Sequence, residues 1–206
     1  MEPSTPASAA PFVLPRSTGL IVLEDCFHFP GCFLPLFIYE QRYRQMLDHA
    51  LSTSRLFCVG TMHDDELLPV STAGLIRASK KRDDGTSHVM LYGVTRVRFT
   101  DWTQEKPFRI ALIEPFHTLK QSSDEEMEAM KLEAMSMLPP ATPECGEAIR
   151  TLRSGLCQMT CPDLVCDIIS YHFIRDPAVL RRLLLEPYLE ERYSVLIHEL
   201  KKLRDE

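Results

Sequence analysis

The strongest claim to chemistry in this chain is made by the thiols of "CQMTCPDLVCDIISYH". Cys157 and Cys161 are four apart and would share one face of a helix. Cys166 and His172 would then complete a four-ligand metal site. Pro162 speaks against this, because it breaks a helix at that point, and the two-residue spacing of a zinc knuckle is missing. The competing reading is a set of thiols packed among Leu156, Met159, Leu164, Val165 and Ile168. His198-Glu199 opens like a zinc-protease helix, but the residue three after Glu199 is Lys202, so the second histidine is absent. Adjacent carboxylates occur at Glu24-Asp25, Asp64-Asp65-Glu66, Asp83-Asp84 and Glu125-Glu126. Acid–base catalysis needs two carboxyls held in different environments, whereas neighbouring charges in polar loops are solvated. Lys80-Lys81-Arg82, with Arg77, Arg96 and Arg98, would suit phosphate contacts; the alternative is a charged hairpin and ion-paired strand faces.

No phosphate-binding Gly-x-x-x-x-Gly-Lys, no dinucleotide glycine fingerprint and no Gly-x-Ser-x-Gly elbow occurs. The expectation is therefore a chain without catalytic residues, cofactor or metal. The net charge of −6 and pI near 5.7 argue against a broad grip on nucleic acid. No apolar run approaches the ~18 residues of a membrane span, and Glu2 and the early prolines do not suit a signal peptide. Residues 1–18 read as a flexible leader and the seven scattered cysteines as reduced thiols, which points to the cytoplasm.

Any such residues must be held by elements of two kinds. Strand patterns fall at 19–24, 56–62, 73–79, 87–93, 94–102 and 108–115, with Asp84-Gly85 as a hairpin turn and Gly93 as a joint. In the fifth, Val94, Arg96 and Arg98 alternate with Thr95, Val97 and Phe99, placing the arginines on one face. One helix interrupts the strands: Tyr39, Tyr43, Met46, Leu47, Ala50 and Leu51 recur at helical spacing, with Glu40 in the first turn and four before Arg44. Beyond 118, a Ser-capped acidic segment precedes "PPATPE" and four further helical pieces, with Asp163, Asp176 and Pro177 at their starts. Residues 1–118 carry a net −1 and residues 119–206 a net −5. The expected class is α+β: a partly closed β-barrel lobe over 19–118 with one inserted helix, then a helical bundle over 119–206.

"FPGCFLPLFIYEQRY" carries a resemblance. Phe29, Pro30, Gly31, Pro35, Leu36, Ile38, Tyr39, Glu40, Arg42 and Tyr43 fit the pattern of the N-terminal LON domain of Lon-type ATP-dependent proteases. "LFCVGTM", "AGLIRASKKRDDGTSHVMLYGVTRVRF" and "PFRIALIEP" are similar to the strands that follow in that family, and residues 160–200 to its helical part. The resemblance implies a PUA-like barrel joined to a bundle, a module that helps proteases select unfolded or tagged protein. Nothing after residue 118 resembles an ATPase or a Ser-Lys peptidase domain, so the reading is of a recognition module standing alone. Separately, Pro30-Gly31 suits a type II turn, and Pro35 places its segment at a sheet edge or in an irregular crossing.

These readings converge on a protein- or peptide-binding module. Its partners would be unfolded or partner protein segments, with an ATPase or protease as a further partner. The groove is expected at Phe29, Phe33, Leu36 and Phe37, beside the loop 62–70 and the strand of Arg96 and Arg98. The competing state for each aromatic is the core. Two rivals stand beside it: an RNA-binding PUA-like module, betrayed by steep salt dependence, and a small-molecule binder using the lobe interface.

Overall fold

The computed structural model describes residues 13–138 and 146–205. Residues 1–12 of the expected leader, the "PPATPE" break and Cys145 lie outside them, and the first strand already begins at Ser17. The order is β1 (Ser17–Glu24), β2 (Phe33–Ile38), α1 (Gln41–Ser52), β3 (Leu56–His63), β4 (Glu66–Leu67), β5 (Val70–Lys81), β6 (Ser87–Gln104) and β7 (Arg109–Pro115). Five helices follow: α2 (Asp124–Ser136), α3 (Gly146–Gln158), α4 (Pro162–Phe173), α5 (Pro177–Leu185) and α6 (Leu189–Asp205). The class is α+β, as the alternating first half and helical second half imply.

The strands run β1-β7-β6-β5-β3 and return on themselves where β3 pairs β1 in parallel, Gly19 opposite Phe57 through Glu24 opposite Met62. The other pairings in this ring are antiparallel. β2 and β4 stay outside it, on β6 and β3 respectively, and the barrel is only partly closed because β7 pairs with β1 from Ser17 to Leu20 alone. Two expected strands, 87–93 and 94–102, are one continuous β6. Gly93 is not a turn there. It pairs with Gly74, and its backbone exchanges hydrogen bonds with Gly31 N–H (2.8 Å) and Cys32 C=O (2.9 Å). A Cβ at Gly93 would lie 2.1 Å from the Phe29 carbonyl oxygen, so only glycine allows this approach.

The Pro30-Gly31 turn forms as its residues require: Gly31 has φ of 76° and Cys32 N–H returns to Phe29 C=O at 3.3 Å. Pro35 lies on an edge strand, because β2 pairs with β6 alone. The face of α1 buries Tyr43, Met46, Leu47 and Ala50 against the sheet, as its spacing requires. Its N-terminus differs from expectation. Glu40 is the residue before the helix and Tyr39 is 61% exposed. Glu40 pairs with Arg42 at 2.8 Å rather than with Arg44, whose guanidinium donates to the Asp84 carbonyl.

α2 starts on a capping box: Ser123 Oγ accepts from Glu126 N–H, and the Glu126 carboxylate accepts from Ser123 N–H. Asp176 caps α5, while α4 begins with Pro162 directly after Cys161, so the chain breaks there as Pro162 implies. The helical core extends beyond the helices. Phe27, Phe29, Cys32, Leu68 and Val70 from the strand half pack with Met127, Leu156, Ile169, Leu184 and Tyr193. Among the described residues no helix is long and apolar enough to cross a membrane.

Candidate functional site

β2 is six residues long and alternates strictly. Leu34 and Ile38 point inward to the α1 core, while Phe33, Pro35 and Phe37 point outward and are exposed. Register carries the outer set across the sheet. Phe33 lies opposite Tyr92, Pro35 opposite Met90 and Phe37 opposite His88 on β6; Met90 and His88 in turn lie opposite Ala78 and Lys80 on β5. The cross-strand rings touch, with Phe33 and Tyr92 centroids 5.2 Å apart and Phe37 and His88 5.0 Å apart. Tyr39 stacks on Phe37 at 6.0 Å, and the Arg82 guanidinium lies 5.4 Å above the same ring.

The outcome is an apolar outer face bordering a groove of about 460 Å³, lined by Pro35, Leu36, Phe37, Ala78, His88 and Met90, among others. Phe33 is 52% and Phe37 46% exposed, so nearly half of each ring surface is free to be covered. Among the described residues, no strand pairs with the outer edge of β2. At its start, Tyr171 of α4 donates its hydroxyl to the Phe33 carbonyl at 3.0 Å.

The expected groove residues therefore separate. Phe33 and Phe37 meet on this face; Leu36, half-buried, packs on the inner side against the α1 core and only reaches the groove's margin. Phe29 does not: it is 0% exposed and belongs to the core shared with the helices. The reason is the turn that follows. Gly31 sits so close to α4 that a Cβ there would lie 2.6 Å from Leu164, which drives the turn and Phe29 beneath the helices. The loop 62–70 is also elsewhere; it forms the β4 hairpin, and Pro69 C=O accepts from Phe99 N–H at 2.9 Å, beside the far half of β6. Tyr39, His88, Met90 and Tyr92 were missed. The alternation of His88, Met90 and Tyr92 along one strand was the signal for them.

Arg96 is likewise no surface residue. At 2% exposure it donates to the carbonyls of Leu184 (3.1 Å) and Glu186 (2.8 Å) and to Thr118 Oγ1 (2.7 Å). Thr118 Oγ1 in turn donates its hydroxyl to Asp163 at 2.6 Å. Arg192, wholly buried, forms ion pairs with Asp163 and Asp167. Burial, helped by the nearby Arg192 cation, lowers Arg96 to about 10. Burial pushes the Asp167 carboxyl up, to about 6, against the pull of Arg192. Burial alone would lower Arg192, but Asp167, Cys166 and Asp163 together outweigh it and hold the guanidinium charged. This linked set fastens the strand half to α4, α5 and α6. Arg98 shares the strand face of Arg96 but is exposed, its guanidinium 5.0 Å from the Phe116 ring.

The thiols do not converge. Cys157 and Cys161 are exposed, while Cys166 is buried in α4 and pushed up to about 12 by burial. His172 stands eleven positions beyond Cys161, roughly 16 Å along a helix at 1.5 Å per residue. Among the described residues, no group of three His, Cys, Asp or Glu side chains is placed to hold a metal ion. The carboxylate pairs have local partners. Asp25 meets His63 at 2.6 Å, with Asp64 at 3.5 Å from the same ring; Asp84 accepts from Thr86; Glu126 completes the α2 cap. Glu199 pairs with Lys202 on α6 at 2.7 Å, and at the basic hairpin Lys81 lies 3.7 Å from Asp48.

The sequence model of the family described as "ATP-dependent protease La (LON) substrate-binding domain" matches residues 19–202. A Lon protease of Desulfosudis oleivorans is 27% identical over 126 residues, which are 57% of this chain and 15% of that protein. A Lon protease of Geobacter metallireducens is 31% identical over 109 residues, covering 49% of this chain and 13% of that protein. The chain thus spans only a small part of the length of these relatives. Among solved structures, the N-terminal domain of a Mycobacterium avium complex Lon protease superposes with a TM-score of 0.72 at 16% identity, covering 90% of this chain and 98% of that one. A Lon N-terminal domain protein from Xanthomonas campestris gives 0.61 at 19% identity, over 88% and 97% of the two chains. These two likenesses establish the fold.

Proposed function

Because this chain belongs to the family of ATP-dependent protease La (LON) substrate-binding domains, we propose that it holds extended, apolar protein segments on the outer face of β2, β5 and β6, without chemistry of its own. The observation that carries the reading is the pair of half-exposed rings, Phe33 and Phe37, on an edge strand that, among the described residues, pairs with β6 alone. A segment laid along β2 gains backbone hydrogen bonds from that edge and covers the rings with every second side chain. Covering half of a phenylalanine removes ~100 Å² of apolar surface, worth about 2 kcal/mol. Two such rings suffice for a weak, sequence-tolerant grip after the entropy of holding the segment is subtracted. The strand lobe over 19–118 presents this face with α1 packed behind it, and the helical lobe over 119–206 meets it at the start of β2, through Tyr171 and Phe33. Unfolded protein is the substrate class that fits, since it offers extended backbone and exposed apolar side chains together. An ATPase or protease would be a separate partner.

The test is fluorescence anisotropy with a labelled, permanently unfolded protein such as reduced, carboxymethylated lactalbumin. Phe33→Asp/Phe37→Asp is expected to weaken binding by at least about ten-fold, because a charge replaces each ring where apolar contact is needed. The wild-type affinity should change less than about three-fold between 50 and 200 mM salt, against the ~10³-fold loss that phosphate contacts would bring. Equal binding by the double variant, with its unfolding midpoint unchanged, would refute the site. A steep salt dependence would favour nucleic acid instead.

A further inference from the structure

A second cavity lies on another side of the barrel and exists for a reason in the strand register. β7 pairs with β1 only from Ser17 to Leu20, where Arg109 lies opposite Leu20. From Ile21 onward that edge of β1 has no β7 partner. The Tyr43 hydroxyl takes over part of the missing ladder, donating to Val22 C=O at 3.2 Å and standing 3.3 Å from Val22 N–H. The space left between α1 and the β6–β7 connection is a cavity of about 960 Å³. That lies at the upper end of the range for sites that take whole small ligands.

Its lining is two-sided. Leu20, Tyr43 and Phe108 are buried and, with half-buried Val22 and Met62, form an apolar floor. Arg42, Lys106 and Arg109 stand exposed around it, with Glu105 as the single carboxylate on the lining. Arg42 is already paired with Glu40 at 2.8 Å and stacked 4.6 Å over Tyr43. Lys106 and Arg109 have no ion-pair partner among the described residues; the Arg109 guanidinium lies 5.7 Å from the Trp102 ring. A basic rim around an apolar floor, in a chain of net charge −6, favours a ligand with one negative end and one apolar end.

We propose that this cavity binds a small amphipathic carboxylate: an aliphatic chain on the Leu20–Phe108 floor, its carboxylate between Lys106 and Arg109. The assignment is independent of the segment-binding face, because none of that face's residues lines this cavity. Trp102 is the sole tryptophan in the chain, so its emission reports any ligand that draws Arg109 away from it.

The experiment titrates the full chain with sodium octanoate, 1-octanol and octylammonium, following Trp102 emission and heat. Octanoate is expected to bind about two- to five-fold tighter than octanol, the scale of one exposed charge pair, and to shift the emission. Octylammonium should bind weakest. Lys106→Gln/Arg109→Gln should bring octanoate down to the affinity of octanol, while Arg109→Glu should reverse the order of octanoate and octylammonium. Phe33→Asp/Phe37→Asp should leave octanoate binding unchanged, which separates this site from the outer face. Octanol binding as tightly as octanoate, no binding by any of the three, or an unaltered octanoate affinity in Lys106→Gln/Arg109→Gln would overturn the proposal. So would a leucine-ended peptide that outcompetes octanoate and loses its affinity on C-terminal amidation; that result would make a protein C-terminus the ligand.

Discussion

Replacing Arg96 by methionine separates a structural latch from a ligand contact. Methionine keeps much of the aliphatic bulk and removes the guanidinium. Three donated hydrogen bonds disappear with it: those to Leu184 C=O, Glu186 C=O and Thr118 Oγ1. Hydrogen bonds to charged groups contribute ~1.5–3 kcal/mol each, but the methionine packing and the removed desolvation cost offset part of that. Asp163 and Asp167 also lose one of the two guanidinium groups that counter their charge. Breaking a buried charge network by removing one partner costs about 3–5 kcal/mol. For a chain of 206 residues with a urea slope of ~2–3 kcal/mol per molar, the midpoint should fall by roughly 1.5 M. Arg98→Met, which removes only an exposed guanidinium over Phe116, should cost less than about 1 kcal/mol. Urea unfolding followed by circular dichroism measures both. Unfolded-protein binding, measured under conditions where the variants remain folded, should be unchanged in each. A loss below 1 kcal/mol for Arg96→Met, together with lost binding, would refute the latch and return Arg96 to the ligand.

Gly93→Ala should be among the most damaging single-methyl changes in the chain. The new Cβ would meet backbone, the Phe29 carbonyl oxygen at 2.1 Å and Pro30 Cα at 3.1 Å, which cannot swing aside as a side chain can. A loss of about 3 kcal/mol or more in urea unfolding is expected, and an effect under 1 kcal/mol would contradict the packing described. His28 gives stability a defined pH dependence. It is buried, its Nδ1 has no partner, and burial brings it from 6.5 down to about 4. The unfolded chain therefore takes up a proton below pH 6.5 that the folded chain refuses. The resulting stability is present above pH 6.5 and is lost as pH falls through 4, up to about 3 kcal/mol in all. Asp167, with its carboxyl raised, acts in the opposite direction between pH 4 and 6. The His28 part is read as the difference between wild type and His28→Gln, whose unfolding free energies should diverge in slope between pH 6.5 and 4.5. Parallel curves would show that His28 is not the group responsible.

Local pattern revealed which residues share a face, and this much of the fold was legible. Apolar runs and alternation located β1, β3, β5, β6 and β7 but not β2 or β4, helical spacing located α1, and Pro30-Gly31 and Asp84-Gly85 located their turns. What covers a face was not legible. Arg96 and Arg98 alternate as the strand requires, yet one meets α5 carbonyls and the other solvent. Their difference depends on where residues almost ninety positions later return, which no two-residue period encodes. Gly93 misled for a related reason. A glycine between two strand patterns reads as a joint, but here it permits close approach of another backbone, and β6 passes straight through. The four-residue spacing of Cys157 and Cys161 implies a shared face only within one helix, and Pro162, the residue that speaks against that grouping in the sequence, does start a new one.

The same geometry explains why an apolar face is left over at all. The sheet must cover its apolar surface on both sides, and the chain supplies two covers: α1 on one side and the helical half on another. β6 is eighteen residues long, and its two halves have different partners. The second half pairs with β7, and Arg96 fastens it to α5. The first half pairs with β2, whose inner residues Leu34 and Ile38 use up the apolar surface of α1. Among the described elements, none remains for the opposite side of β2. An edge strand normally guards such a position with charge or proline against stray pairing. Here Pro35 is the guard, but Phe33 and Phe37 flank it with apolar rings rather than lysines. Protection from pairing and retention of apolar contact area are thus combined on one strand, the combination expected where transient capture of extended chain is the task and permanent sheet growth is the hazard.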